Sequence, residues 1–324
     1  MNDVKVERIT APNGSVFTGA GTNTYLVGEN DISIVDPGPN IKSHLDKIIK
    51  KVGKNASRIL VTHTHRDHSP GAKYLAEKLN IPTFGKLVEV DDSHQDLSFK
   101  PDHVLNHGDL ISTDEYSLEA VYTPGHASNH FCFFIDVNAL MLTGDHIMNG
   151  STVVIAHPDG SMKQYLQSLE LLKSYDFDKI GPGHGDYLSN PIDVISWIIN
   201  HRLQREAKVL EKLNNEEFIN ELDLVKLVYD DVDSKLHPIA LWSLKAHLVK
   251  LKEEKLKLDL TRGKPSPEQL DLSNRLDGIL DGTTDGISLG IAEGTEDGTT
   301  LGTQDGPEVG IFVGALLGAT LGTA

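Results

Sequence analysis

Short apolar runs separated by turn residues fill the first 190 positions. Tyr25-Leu26-Val27, Ile32-Ser33-Ile34-Val35, Ile59-Leu60-Val61-Thr62, Leu118-Glu119-Ala120-Val121-Tyr122, Phe131 to Ile135 and Ala139-Leu140-Met141-Leu142 have the length and the β-branched or aromatic content of strands. Two longer stretches change to helical period. Over residues 41–52 the apolar positions are Ile41, Leu45, Ile48 and Ile49; over residues 162–175 they are Met162, Tyr165, Leu166, Leu169 and Leu172. Both stripes read as core faces. After Pro191 glycine thins out. Ile195, Ile198, Ile199, Leu203, Ala207, Leu210 and Leu213 predict one amphipathic helix, and Leu236 to Leu258 a second, rich in lysine. From Gly263 the chain repeats Asp-Gly, Leu-Gly and Gly-Thr steps with almost no aromatics, a composition that cannot offset the entropy of ordering. Three zones follow: 1–190 as an α/β domain, 191–262 as a small helical domain, and 263–324 as a low-complexity tail expected to be disordered.

Composition narrows the class. Of 324 residues 39% are hydrophobic, enough for a real core. With a single cysteine, Cys132, neither an intrachain disulfide nor a Cys-based zinc site can form, and its apolar neighbours make it a small buried hydrophobe. The net charge is −17, but residues 263–324 hold −8 of it and the preceding 262 residues only −9. No general basic surface remains, so any nucleic-acid contact has to be local. The charged N-terminus lacks a secretory pattern, and the Gly-rich run 311–324 is too short to span a bilayer. A soluble protein of the cytoplasm or an organelle matrix, without membrane contact, is expected.

The chemistry concentrates in Thr62-His63-Thr64-His65-Arg66-Asp67-His68. It follows a predicted strand and precedes a predicted helix through Tyr74-Leu75-Ala76. His63 and His65, two apart on a loop, can aim at one ion; Asp67 and His68, where the chain turns into the helix, can face a second. Three single positions come later, each after an apolar strand and beside glycine: His126 in Thr123-Pro124-Gly125-His126, Asp145 in Thr143-Gly144-Asp145, and His184 in Gly181-Pro182-Gly183-His184-Gly185. Glycine there lets the backbone approach closely. Imidazole and carboxylate without thiolate suit zinc, while manganese or iron fit the same set.

With these residues in this order, the chain resembles the metallo-β-lactamase superfamily over about residues 5–190. The resemblance implies an αββα sandwich with two Zn2+ ions at one edge of two sheets. It implies that His63, His65 and His126 hold the first ion, that Asp67, His68 and His184 hold the second, and that Asp145 bridges them. Asp36, in Val35-Asp36-Pro37-Gly38, matches a position beneath the metal loop and is expected to orient ligands. The implied reaction is attack by a metal-bound hydroxide on an ester, thioester, lactam or phosphodiester, with Asp67 and Asp145 as the catalytic carboxylates.

Gly21-Thr22-Asn23-Thr24-Tyr25-Leu26-Val27-Gly28, Arg66 and the helical segment after residue 190 narrow the resemblance to the beta-lactamase-like protein two branch. It appends a winged-helix-like domain and includes an endoribonuclease acting on single-stranded RNA. Lys235, Lys245, Lys250, Lys252, Lys255 and Lys257 give the helical segment a local basic run, whose 245–257 stretch offers phosphate contacts for RNA or a merely solvated helix face. A glyoxalase-II-like thioester or lactone hydrolase is the alternative. A nuclease with a large inserted cap is excluded by the short interval from Asp145 to His184; a metal-bound scaffold without turnover stays as a further reading, against which the complete ligand series argues. His146, Asn149, His157, Ser128 and His130 are candidate proton donors to the leaving group. His201 and Arg202 are expected on a helix surface.

Overall fold

The computed structural model describes residues 3–88, 90, 94–215 and 219–262. The tail 263–324 lies outside them, as do the side chains of Lys255 and Lys257.

Two six-stranded sheets form the first domain. In the first, β1 (Val6–Thr10), β2 (Asn23–Val27) and β3 (Ile32–Val35) run antiparallel, and β3, β4 (Ala56–Leu60), β5 (Thr83–Gly85) and β6 (His103–Val104) run parallel. Helices α1 (Lys42–Val52) and α2 (Gly71–Leu79) make the crossovers that parallel neighbours require. In the second sheet β7 (Asp109–Ser112), β8 (Ser117–Tyr122), β9 (Phe131–Ile135) and β10 (Leu140–Gly144) form an antiparallel meander. α3 (Met162–Leu172) then leads to the parallel β11 (Lys179–Pro182), and β12 (Leu188–Ser189) closes the edge.

Side-chain alternation fixes the layers. Tyr25, Val27, Val35 and Leu60 of the first sheet meet Leu118, Ala120, Phe131, Phe133, Leu140 and Leu142 of the second in one buried cluster. The intervening Leu26, Ile34 and Ile59 point the other way, onto Leu45, Ile48 and Leu75 of α1 and α2. Val121, Cys132, Met141 and Ile180 likewise face Met162, Tyr165, Leu169 and Leu172 of α3. The result is the expected αββα sandwich, with Cys132 fully buried and its thiol pushed up to about 12 by that burial. The helix predicted to reach Tyr175 ends at Leu172 and gives way to turns.

Residues 191–262 add α4 (Pro191–Asn215), α5 (Glu221–Val228) and α6 (His237–Arg262) around their own core of Val209, Leu213, Leu224, Val228, Leu244 and Leu248. Ile195, Ile198 and Ala246 also join the α3 cluster, so this domain is seated on the sandwich. The predicted stripe of α4 needs correction: Leu203 and Ala207 are exposed, while Arg202, Arg205 and Glu206 are buried. The middle of α4 is wedged between the sandwich and α6, where backbone carbonyls and opposite charges replace solvent. Among the described residues no helix is long and apolar enough to cross a membrane.

Candidate metal centre

The end of β4 delivers the ligand loop, and a buried carboxylate shapes it. Asp36 follows β3 with φ at 51°, a left-handed conformation that Asp tolerates better than most residues. One of its oxygens accepts the Thr62 amide at 2.8 Å; the other accepts the Thr62 hydroxyl and faces His68 Nδ1, both at 2.8 Å. The second sheet supplies the rest. His126 follows β8, Asp145 follows β10 and His184 follows β11. Phe131 donates to the Thr62 carbonyl and Asn23 to that of Gly183, tying the sheets together at this edge.

The seven predicted residues converge. His65 Nδ1 lies 2.9 Å from His63 Nε2 and 3.0 Å from His126 Nε2. Asp67 Oδ2, His68 Nε2, His184 Nε2 and Asp145 Oδ1 form a second group, with spacings of 3.3, 3.4, 3.2 and 3.2 Å around it. Asp145 turns its other oxygen, Oδ2, toward His126 Nε2 at 3.8 Å, so one carboxylate faces both groups. Ligands bound at 2.0–2.1 Å in a tetrahedron stand about 3.3 Å apart, and the observed spacings cluster about that value. His68 Nε2 and Asp145 Oδ1 are buried with no hydrogen-bond partner. The same atoms also fall into sets of three that could each take a metal ion: His63, His65 and His126; His63, His68 and Asp145; Asp67, His68 and His184. Convergent spacing, unpartnered buried atoms and an N/O donor set all fit divalent metal.

The outward nitrogens are held too. His126 Nδ1 donates to the Val154 carbonyl at 2.8 Å, His184 Nδ1 lies 3.2 Å from the Gly21 carbonyl, and His63 Nδ1 lies 3.0 Å from the Thr62 hydroxyl. Such contacts fix ring orientation and tautomer. Burial, reinforced by neighbouring imidazoles, keeps His63 well below its ordinary value and His65 at about 3; burial also lowers His126. These three are neutral donors. Against burial, Asp67 and Asp145 hold His68 well above its ordinary value and His184 at about 10, and both carboxylates stay ionised. That negative field favours a cation.

Thr22 was not singled out from the sequence. It is fully buried, pairs with His184 as an isolated bridge, and donates its hydroxyl to Asp67 Oδ2 at 2.8 Å. Its only visible signal was its place in the Gly21–Gly28 run. Other expectations fail on burial. His130 and His146 are completely enclosed; burial pushes His130 well below its ordinary value and His146 to about 3, which leaves them neutral and out of a leaving group's reach. The Ser128 hydroxyl is buried as well. Asn149 and His157 are exposed on the loop after Asp145. Arg202 is not a helix-surface residue, being only 3% exposed, and His201 is half-buried with its ring stacked on Trp197. Lys245 pairs with Glu221 at 2.8 Å, and Lys250 is buried between Glu206 at 2.7 Å and Glu254 at 3.1 Å.

A profile of the metallo-beta-lactamase superfamily matches residues 17–184, and one of the beta-lactamase associated winged helix domain matches residues 221–256. A beta-lactamase-like protein 2 homolog of Drosophila melanogaster is 33% identical over 262 residues, 77% of this chain and 88% of that protein. An atrochrysone carboxyl ACP thioesterase of Cryptosporiopsis sp. (strain 8999) is 27% identical over 215 residues, 64% of this chain and 63% of its own length. The crystal structure of a metallo-beta-lactamase family protein from Thermus thermophilus superimposes with a TM-score of 0.62 at 18% identity, covering 78% of this chain and 93% of that one. With its sandwich, its convergent ligand set and a superfamily match across more than half its length, this chain belongs to the metallo-beta-lactamase superfamily of metal-dependent hydrolases.

Proposed function

We propose that the chain hydrolyses small carboxylic thioesters or esters. The observation that carries this choice over RNA is the state of Lys245 and Lys250. Phosphate binding draws on cations able to displace the counterions of the nucleic acid, but Lys245 and Lys250 are committed to Glu221, Glu206 and Glu254. The thioesterase among the relatives supports the same substrate class.

His63, His65 and His126 would hold one divalent ion and Asp67, His68 and His184 the other, with Asp145 between them; zinc suits the set, and manganese or iron would also fit. Ions bound there would polarise the carbonyl and bring the acidity of water toward neutrality. The protein's own groups arrange the rest. Asp67 Oδ2 accepts the Thr22 hydroxyl and faces the His68 and His184 Nε2 atoms at 3.3 and 3.2 Å, which leaves Oδ1 to take the proton of the attacking water. Its side chain is 26% exposed against 10% for Asp145, so Asp67 is the carboxylate that substrate and water meet. Asp145 holds its two oxygens in place for the two groups of histidines.

The test compares the metal-loaded full chain on an acyl-glutathione thioester, an acyl lactone and a labelled single-stranded RNA. Thioester or lactone turnover that disappears in Asp67→Ala and Asp145→Ala is the expected result. RNA cleavage lost in the same variants, with no ester turnover, would replace this reading with the ribonuclease one.

A further inference from the structure

Residue Arg202 sits on α4, in the domain that contributes no metal ligand, yet it touches Val153, on the loop that follows Asp145, and Tyr165 of α3. Its Nη2 donates to the Val153 carbonyl. The next carbonyl, that of Val154, accepts His126 Nδ1. The guanidinium also lies 5.7 Å above the ring of Tyr165, which is fully buried. Tyr165 in turn braces the ligand loops. Its hydroxyl donates to the His146 carbonyl at 2.9 Å, one residue beyond Asp145. Its backbone is pressed against Gly125, the neighbour of His126, where an added Cβ would stand 2.3 Å from Tyr165 Cα. The Ser161 amide completes the brace by donating to the Gly125 carbonyl at 2.8 Å.

Resting on the metal-centre reading above, we propose that Arg202 is a positioning residue that sets the orientation of His126 toward the first ion, through the Val153–Val154 carbonyls and Tyr165. A metal-bound imidazole almost always donates its other N–H to an acceptor, which fixes the tautomer and the direction of the lone pair. For His126 that acceptor belongs to a loop without regular secondary structure, and Arg202 donates from outside the loop to the carbonyl next to it. Arginine suits the task because its planar fork can bond a carbonyl while its face lies on a ring. The C-terminal domain is then a structural part of the metal centre.

Cobalt(II) is the probe, added to the full chain and to Arg202→Gln and Arg202→Lys. Affinity is read by competition with a chelating indicator, coordination by the visible ligand-field bands, and folding by thermal melts in chelator. The expected result is a 10–100-fold loss of affinity for one of two ions in R202Q, with altered bands. R202K, whose ammonium can still reach the Val153 carbonyl, recovers part of both. Affinity and bands equal to wild type in R202K and R202Q, with only the chelator melt lowered, would reduce Arg202 to packing and overturn the proposal. If R202Q does not fold, Arg202→Met is read in its place, and affinity and bands equal to wild type there overturn the proposal in the same way. Wild type that takes up no cobalt would remove the metal-centre reading itself and the proposal with it.

Discussion

Replacing Gly183 by alanine tests the metal centre with one methyl group. Gly183 precedes the ligand His184, and a Cβ built on it would stand 2.4 Å from Asp145 Oδ1 and 2.8 Å from His68 Cε1. Its backbone cannot retreat, because its amide donates to the Gly144 carbonyl and its own carbonyl accepts from Asn23, both at 2.7 Å. An ordinary carbon–oxygen contact is about 3.3 Å, so the Asp145 carboxylate has to move by about 0.9 Å. Functional groups tolerate roughly 0.5 Å of misplacement, and 1 Å costs on the order of 100-fold in rate. Gly183→Ala is therefore expected to lose about 100-fold in kcat/KM, equivalent to about 2.7 kcal/mol of transition-state stabilisation, and to bind metal about 10–100-fold more weakly. Its melting temperature in chelator should stay near that of wild type. The assay pairs thioester turnover with metal competition on the same preparation. Turnover within twofold of wild type together with unchanged metal affinity would refute the argument that Asp145 must stand where the structure places it.

Other perturbations give separate outcomes. Thr22→Val removes the hydroxyl donated to Asp67 at nearly constant shape, and should weaken the second ion about tenfold while the first, read by stepwise titration, is unaffected. Stripping metal with chelator should lower the melting temperature by about 5–10 °C, since a ligand at 100 times its Kd adds about 2.7 kcal/mol and each kcal/mol shifts a domain of this size by about 2–4 °C; an unchanged melt would mean that the fold does not use the ions. Lys250→Met takes the ammonium from Glu206 and leaves it facing His247, which burial keeps neutral, and should cost about 3 kcal/mol in urea unfolding. Despite burial, bonds from His247 and Lys250 hold Glu206 below its ordinary value of 4.5. Its contribution is therefore complete above that pH and is lost as pH falls through the lower folded value. Lys250→Met should flatten this acid limb of the stability profile, and an identical limb in both proteins would contradict the pairing.

What the chain order of residues reveals and what it hides have one physical cause. The metal residues were legible because their chemistry is dense and local: four lie in His63 to His68, and the other three each follow an apolar strand beside glycine. Thr22 was hidden because a hydroxyl acquires its role only when a distant Asp67 arrives 2.8 Å away. Arg202 and Lys250 were misread for the same reason. On a helix read alone, charged positions look solvated, and only packing against the sandwich and α6 shows that they are enclosed. His130 and His146 looked available beside two ligands, yet the outer face of the second sheet is covered by α3, with the Tyr165 ring 4.8 Å from that of His146.

The division of the ligands between two sheets also bears on the order of assembly. In an unfolded chain His63, His65, Asp67 and His68 can already reach a metal ion together, whereas His184 is 121 positions beyond His63. Long-range closure of that kind is slow and entropically costly. A metal ion met early would be held by the first loop alone, weakly and in equilibrium with solvent. Full coordination would follow only once the second sheet had folded against the first. Completion of the centre is therefore a late event, and stopped-flow refolding in cobalt(II) should show ligand-field bands that develop with the final phase of tertiary packing and not with collapse.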